Sequence, residues 1–258
     1  MDAILKKLAA SLAAALLCAT SLASLAAHAA DITIYSAGAV KAALNEAAAA
    51  YEKSSGQHIA VEYAPVGSLM RGLAQGAQQD AIVLSAETTA DAEAKGWVAP
   101  ASSFALGTVA VGVAVRDNAP IPDISTPEKL KQTLLAAKSI IYIAPDKGTS
   151  GKHFAEVLQR LGIAEQMQAR TTLADGGYAV EPVAQGKVEL GIQQITEILP
   201  VPGVKLVGPL PEPYGKTTVY AMALSANAKN PAAARAFFAY LRRAEVRRIF
   251  IGKGFQVP

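Results

Sequence analysis

Ser36, Ser68, Thr149, Ser150, Gln193 and Gln194 are the residues of this chain best suited to holding a ligand, and all are neutral hydrogen-bonding groups. Each stands where an apolar run gives way to small residues and a helical pattern begins. A helix start presents backbone N–H groups with no partner inside the helix, and the chemistry this supports is anion capture. In Asp31-Ile-Thr-Ile-Tyr-Ser-Ala-Gly-Ala-Val40, Ile32 and Ile34 alternate with Thr33 and Tyr35 as in a strand. Ser36-Ala-Gly-Ala39 then makes a turn into an Ala-rich amphipathic helix that carries Leu44, Ala48 and Tyr51 and runs to about Lys53. Gly38, Gly67, Gly148, Gly151, Gly176 and Gly177 leave room for backbone to approach a bound group. Arg71, Lys147 and Lys152 lie near these turns in sequence and are candidate charge partners, Arg71 through a bidentate fork.

Blander roles compete with each of these. Ser36 can simply end a strand, and Ser68 can cap a helix. Thr149 and Ser150 can bond locally to backbone. Arg71 and Lys152 can be solvated helix charges. Tyr35, Tyr63 and Tyr178 read first as core or rim packing.

Signatures of catalysis are weak. Gly148-Thr-Ser-Gly-Lys152 resembles a phosphate loop, but Asp146 and His153 stand where a Walker loop needs Gly and Ser or Thr. Ser150 and His153 could form a hydrolytic pair, yet no Gly-x-Ser-x-Gly elbow surrounds these serines and no third orienting group is evident. After residue 30 the only histidines are His58 and His153, which supports no metal cluster. The expectation is a binding protein without cofactor, metal or catalytic residues.

Positioning these residues requires alternating strands and helices. His58–Ala64 reads as a strand, Ser68 opens a helix, and Asp80–Ser85 is a continuous apolar strand of the kind buried on both faces of a parallel sheet. Thr88–Lys95 is helical. Leu106–Val115 is a long β-branched run, and Thr217–Leu224 is a second one. Between them, Pro127 opens a helix, Ser139–Ala144 is a strand, His153–Leu161 is a helix, Tyr178–Ala184 is helical and Val188–Ile192 is a strand. The segment 199–216 is rich in Pro and Gly, and Asn230-Pro231 starts a helix to Leu241, followed by another over Glu245–Ile251. This order predicts an α/β chain of two lobes, each a mainly parallel sheet flanked by helices, joined by two crossing strands. The first lobe would be discontinuous, 31–105 plus 225–258, and the second would span 106–224. A ligand would sit in the cleft, outside the carboxyl ends of the strands.

The first 30 residues read as a cleaved signal peptide. Lys6 and Lys7 precede an uncharged Ala/Leu-rich stretch, and Ala27-His28-Ala29 fits a small-x-small cleavage site. The expected location is the periplasm. The single cysteine, Cys18, lies in this stretch, which leaves the mature chain without disulfides or thiolate chemistry. With 24 basic and 21 acidic residues and 6% aromatic content, the chain has no footprint for nucleic acid.

Taken together, these pieces resemble the periplasmic solute-binding proteins of ABC importers, and within them the molybdate-binding group. The resemblance rests on Ile32–Tyr35 with its small-residue turn, Gly67-Ser-Leu-Met-Arg71, Asp80-Ala-Ile-Val-Leu-Ser-Ala86, Ser150-Gly151, Leu158-Gln-Arg-Leu-Gly162, Leu190-Gly-Ile192, Ile249-Phe250 and Gly254-Phe255. It implies a type II periplasmic binding protein, working as a monomer, that delivers a small anion to a membrane permease with a cytoplasmic ATPase. The fold would serve a sensor system equally well. The family's oxyanion ligands fall on Ala39, Gly67 (with Ser68 beside it), Ser150, Gly176 and Gln194. Ala39 and Gly67 lack the family's hydroxyls and Gln194 lacks its phenol. Backbone donors would remain, so the expected ligand is a small anion: a molybdate-like oxyanion or, because the smaller side chains leave more room, a bulkier small organic carboxylate or phosphonate. The expected ligand set is Ser36, Gly38, Ala39, Gly67, Ser68, Thr149, Ser150, Gly176 and Gln194, with Arg71 and Lys152 as charge partners.

Overall fold

The computed structural model describes residues 31–257, and the signal-peptide reading, Cys18 included, lies outside the described residues. β1 (Ile32–Ala37) passes through a short 3-10 turn (Gly38–Val40) into α1 (Lys41–Ser55). β2 (Ile59–Ala64), α2 (Val66–Ala74), β3 (Ala81–Ser85), α3 (Ala86–Ala94) and the long β4 (Phe104–Arg116) follow. Next come α4 (Pro127–Ala136), β5 (Ile140–Ile143), α5 (Thr149–Arg160), α6 (Ala164–Gln168), β6 (Thr171–Ala174), α7 (Glu181–Ala184) and β7 (Leu190–Gln194). The chain closes with α8 (Ile195–Ile198), β8 (Val204–Pro209), β9 (Thr217–Leu224), α9 (Pro231–Leu241) and α10 (Ala244–Gly252). None of the described helices is long and apolar enough to cross a membrane.

The strands follow one continuous path, β2-β1-β3-β9-β4-β7-β5-β6, with β8 added on β4. At one end β1 pairs in parallel with β2 and β3, and at the other β5 pairs in parallel with β6 and β7. β4 and β9 form the antiparallel middle: residues 104–110 of β4 pair with β9, while residues 111–116 pair with β7 and β8. A β-branched strand of 13 residues is long enough to serve both ends. The two crossing strands expected from the sequence therefore knit both parallel groups into one path.

Buried side chains separate into two main clusters. One draws on residues 32–109 and 220–255, including Ile34, Leu44, Ile82, Phe237 and Phe250. The other draws on residues 111–210, including Val113, Leu130, Ile140, Phe154 and Ile192. β3 is buried along its whole length, as its unbroken apolar run predicts. At its head, Asp80 accepts from Thr33 N at 2.9 Å, Thr33 Oγ1 at 3.0 Å and Asn230 N at 2.6 Å, so one carboxylate ties β1 to the start of α9. Burial alone would raise its pKa. These hydrogen bonds outweigh that and hold it below the usual carboxylate value.

Two strands and a short helix depart from the sequence reading. β6 is a four-residue edge strand whose Leu173 is exposed, so it lacks the apolar run that marks a buried strand. β8 lies inside the Pro/Gly-rich segment and is only half-buried against β4. α6 is a five-residue helix, too short for a periodic signature.

Candidate functional site

The carboxyl ends of β1, β2, β5 and β7 open onto one cleft, which encloses about 110 Å³. Ala37, Gly38 and Ala39 line it from the end of β1, and Lys41 enters from the first turn of α1. Tyr63, Ala64 and Pro65 come from the end of β2, with Val66 opening α2. Ile143, Gly148, Thr149 and Ser150 come from the β5–α5 connection, and Gly176, Gly177 and Tyr178 from the loop after β6. Gln194 ends β7, Glu197 belongs to α8, and Tyr220 lies on β9. The helical segments beginning at Gly38, Val66 and Thr149 carry no side-chain cap at their starts. Their positive ends, all at the cleft wall, favour negative charge there.

Of the expected ligand set, the structure brings Gly38, Ala39, Thr149, Ser150, Gly176 and Gln194 to the cleft. Gln194 is 1% exposed and its Nε2 donates to Tyr220 Oη at 3.1 Å and to Thr149 and Thr218 Oγ1 at 3.3 Å. Its Oε1 has no partner among the described residues.

Ser36, Gly67 and Ser68 do not line the cleft, which corrects their assignment as ligand contacts. Ser36 is buried in β1 and its Oγ donates to Ala37 O at 3.2 Å, the strand-end role. Ser68 Oγ accepts from Arg71 Nη2 at 3.0 Å. Gly67 N donates to Lys147 O at 2.7 Å, and a β-carbon on Gly67 would stand 2.7 Å from Asp146 O. The glycine here serves a close approach between α2 and the β5–α5 turn.

The charge partners need a larger correction. Arg71 is exposed, spans Ser68 and Asp146 O (3.3 Å), and does not line the cleft. Lys152 points to solvent one turn into α5. Lys147 pairs with Asp175. The basic side chain that lines the cleft is Lys41, whose Nζ lies 5.7 Å from the Tyr63 ring centroid and 5.2 Å from that of Tyr178. Two aromatic faces thus hold one cation over the opening. No sequence cue separated Lys41 from other helix-surface lysines, and Tyr63 and Tyr178 read as packing residues.

Two further residues escaped the sequence reading. Tyr220, 2% exposed, brings a phenol beside Gln194 and bonds Thr149 Oγ1 at 3.2 Å. This phenol comes from the crossing strand β9 and stands within hydrogen-bond distance of Gln194. Burial, then the nearby Glu197 charge, push its pKa up. Glu197 is 8% exposed, and its Oε1 lies 2.7 Å from where a β-carbon on Gly38 would stand. Burial pushes its pKa up to about 8, against a smaller opposing effect from a Gln193 hydrogen bond. No cation lies within ion-pair distance of it among the described residues.

His153 does not face Ser150. Its Nε2 lies 2.7 Å from Tyr214 O, and burial lowers its pKa. This ring nitrogen is therefore engaged with the Tyr214 carbonyl.

Residues 32–256 match the family described as bacterial extracellular solute-binding protein. The chain is similar to an aconitate isomerase from Pseudomonas sp, 31% identical over 231 residues and covering 87% of each chain. It is also similar to the molybdate-binding protein ModA of Escherichia coli strain K12, 25% identical with 88% of this chain and 89% of that protein covered. Among solved structures, the periplasmic molybdate-binding protein of Azotobacter vinelandii superposes with a TM-score of 0.75 at 18% identity, covering 88% of this chain and 99% of that one. The mixed α/β architecture is that of a type II periplasmic binding protein. By sequence match over nearly all its described residues, the chain belongs to the bacterial extracellular solute-binding protein family.

Proposed function

We propose that the cleft captures a small organic polycarboxylate anion. The observation that carries this reading is Lys41, held between Tyr63 and Tyr178 in a cleft walled by helix starts without side-chain caps. Gly38, Ala39, Thr149, Ser150, Gly176 and Gln194 would supply backbone and side-chain contacts around it. A carboxylate gains charge-assisted bonds from Lys41 without needing the two serine hydroxyls that Ala39 and Gly67 fail to provide. The relative named for an organic tricarboxylate supports this ligand class over a compact oxyanion. Capture would take place in the periplasm, after removal of the signal peptide. The two hydrophobic clusters would act as lobes that close by bending at β4 and β9, and the closed monomer would present its ligand to an ABC permease with a cytoplasmic ATPase. Titration calorimetry with cis- and trans-aconitate, citrate, a phosphonate and molybdate tests the reading. Binding of a polycarboxylate supports it, and binding of molybdate alone overturns it.

A second reading keeps the ligand and adds chemistry. The relative at 31% identity is named an isomerase, and this cleft holds a buried carboxyl with a pKa of about 8. Under this reading the chain interconverts isomers of the captured polycarboxylate. Recovery of the ligand unchanged after prolonged incubation would favour simple capture.

A further inference from the structure

A cleft that collects anions gains nothing from an ionised carboxylate in its wall, yet Glu197 occupies that wall. It sits in α8, immediately after the end of β7, and a β-carbon at Gly38 in the β1 turn would stand 2.7 Å from its Oε1. The titratable groups lining the cleft around it are Lys41 from α1, Tyr63 from the end of β2, Tyr178 from the loop after β6 and Tyr220 from β9. None of them forms an ion pair with it among the described residues. The Gln193 side chain bonds it and in turn donates to Gly177 O at 2.8 Å. The carboxyl is thus buried, fixed from one side and open to the ligand space on the other.

We propose that Glu197 is the proton-transfer residue of this cleft, acting on an unsaturated polycarboxylate whose C=C bond adjoins a methylene group. The proposal rests on the isomerase reading above. The Glu197 carboxylate takes a proton from the methylene carbon, and the C–H electron pair becomes part of a three-carbon allyl anion flanked by carboxylates. The proton returns to the carbon at the other end of that unit, and the double bond moves one position along. No atom or electron is gained or lost, and no oxidant, metal or cofactor is required. Lys41 and the start of α5 at Thr149 line the same cleft, where they would offset the charge that develops on the carboxylate oxygens. A base with a pKa near the working pH is the efficient choice for such a transfer, and burial brings Glu197 to about 8. In a wall meant only for anion capture, an amide would serve without the cost of burying an acid.

The test follows cis- and trans-aconitate with the full mature chain in D2O by proton NMR, in parallel with calorimetry. The wild-type chain is expected to interconvert the isomers, or to exchange a methylene proton for deuterium. Glu197→Gln is expected to slow this by about 10²- to 10⁴-fold while still binding the ligand measurably by calorimetry. Glu197→Asp, which keeps the acid but withdraws it by one methylene, is expected to retain a reduced, measurable rate. The wild-type rate should rise with pH toward about 8 as Glu197 ionises, and this rise should vanish in Glu197→Gln. A wild-type rate in Glu197→Gln overturns the role of Glu197 and leaves the isomerase reading intact. Binding by the wild-type chain with neither interconversion nor exchange overturns the proton transfer and leaves anion capture standing. No binding of any polycarboxylate overturns both.

Discussion

The carboxyl of Glu197 fills the space that a side chain on Gly38 would need: a β-carbon at position 38 would lie 2.7 Å from Glu197 Oε1. This contact joins the β1 turn, legible in the sequence as an anion-binding start, to an acid in α8 that no motif announced. Gly38→Ala is therefore expected to displace the Glu197 carboxyl with little loss of stability, since the colliding atom is the end of a flexible side chain. The thermal midpoint should stay close to that of the wild type while affinity for a polycarboxylate falls, as measured by calorimetry.

Lys41 is the cation expected to matter for binding. Lys41→Met should weaken polycarboxylate binding by about tenfold to a hundredfold, the loss typical of a hydrogen bond to a charged group, and should reduce the salt dependence of affinity. Lys152→Met should change neither, because that side chain points to solvent. Equal losses in the two variants would show that long-range charge, not the Tyr63–Lys41–Tyr178 arrangement, governs capture.

Glu197 predicts a pH dependence of stability in the ligand-free chain. Its folded pKa of about 8 lies above the ordinary value of 4.5, so between these values the folded state holds a proton that the unfolded state has released. Stability contributed by this group is fully present below pH 4.5 and is lost as pH rises toward 8. Chemical denaturation at several pH values should show this decline, and Glu197→Gln should flatten it.

Asp80 carries the opposite sign. Its folded pKa is depressed, so its contribution is present above the ordinary carboxylate range and disappears as pH falls through the folded value. Asp80→Ala leaves Thr33 N and Asn230 N without their acceptor and should cost about 2–4 kcal/mol, as removal of a buried, multiply bonded carboxylate does. Urea unfolding at neutral pH measures this, and a loss below about 0.5 kcal/mol, the range of an ordinary surface substitution, would contradict the tethering role.

Gly67 tests closure. Its amide donates to Lys147 O, and a β-carbon there would meet the backbone oxygens of Asp146 and Lys147 at 2.7 and 2.8 Å. Gly67→Ala is expected to hold the two sides of the cleft apart. Small-angle scattering should show a larger radius of gyration with ligand present than in the wild type, together with weaker binding.

The sequence by itself determined the elements with long or unbroken patterns. Asp80–Ser85 had to be a strand buried on both faces, and Thr217–Leu224 a strand that crosses, because continuous apolar and β-branched runs suit little else. It also placed Gly38, Ala39, Thr149, Ser150 and Gln194 at strand ends, where this class of sheet gathers ligands, whereas Gly176 follows β6, a strand without a sequence signal. Short edge elements such as β6 and β8 left no such signal, because a half-exposed strand needs no apolar run. The charges were decided only by tertiary structure. Arg71, Lys152, Lys41 and Glu197 are all polar residues on helices, and sequence spacing alone does not say which face meets a cleft formed by distant segments. Folding turned Arg71 and Lys152 away, set Lys41 between a tyrosine at the end of β2 and one in the loop after β6, and buried Glu197 against a glycine 159 positions earlier in the chain. Burial of that one carboxyl raises its pKa, and burial is a property of the assembled fold.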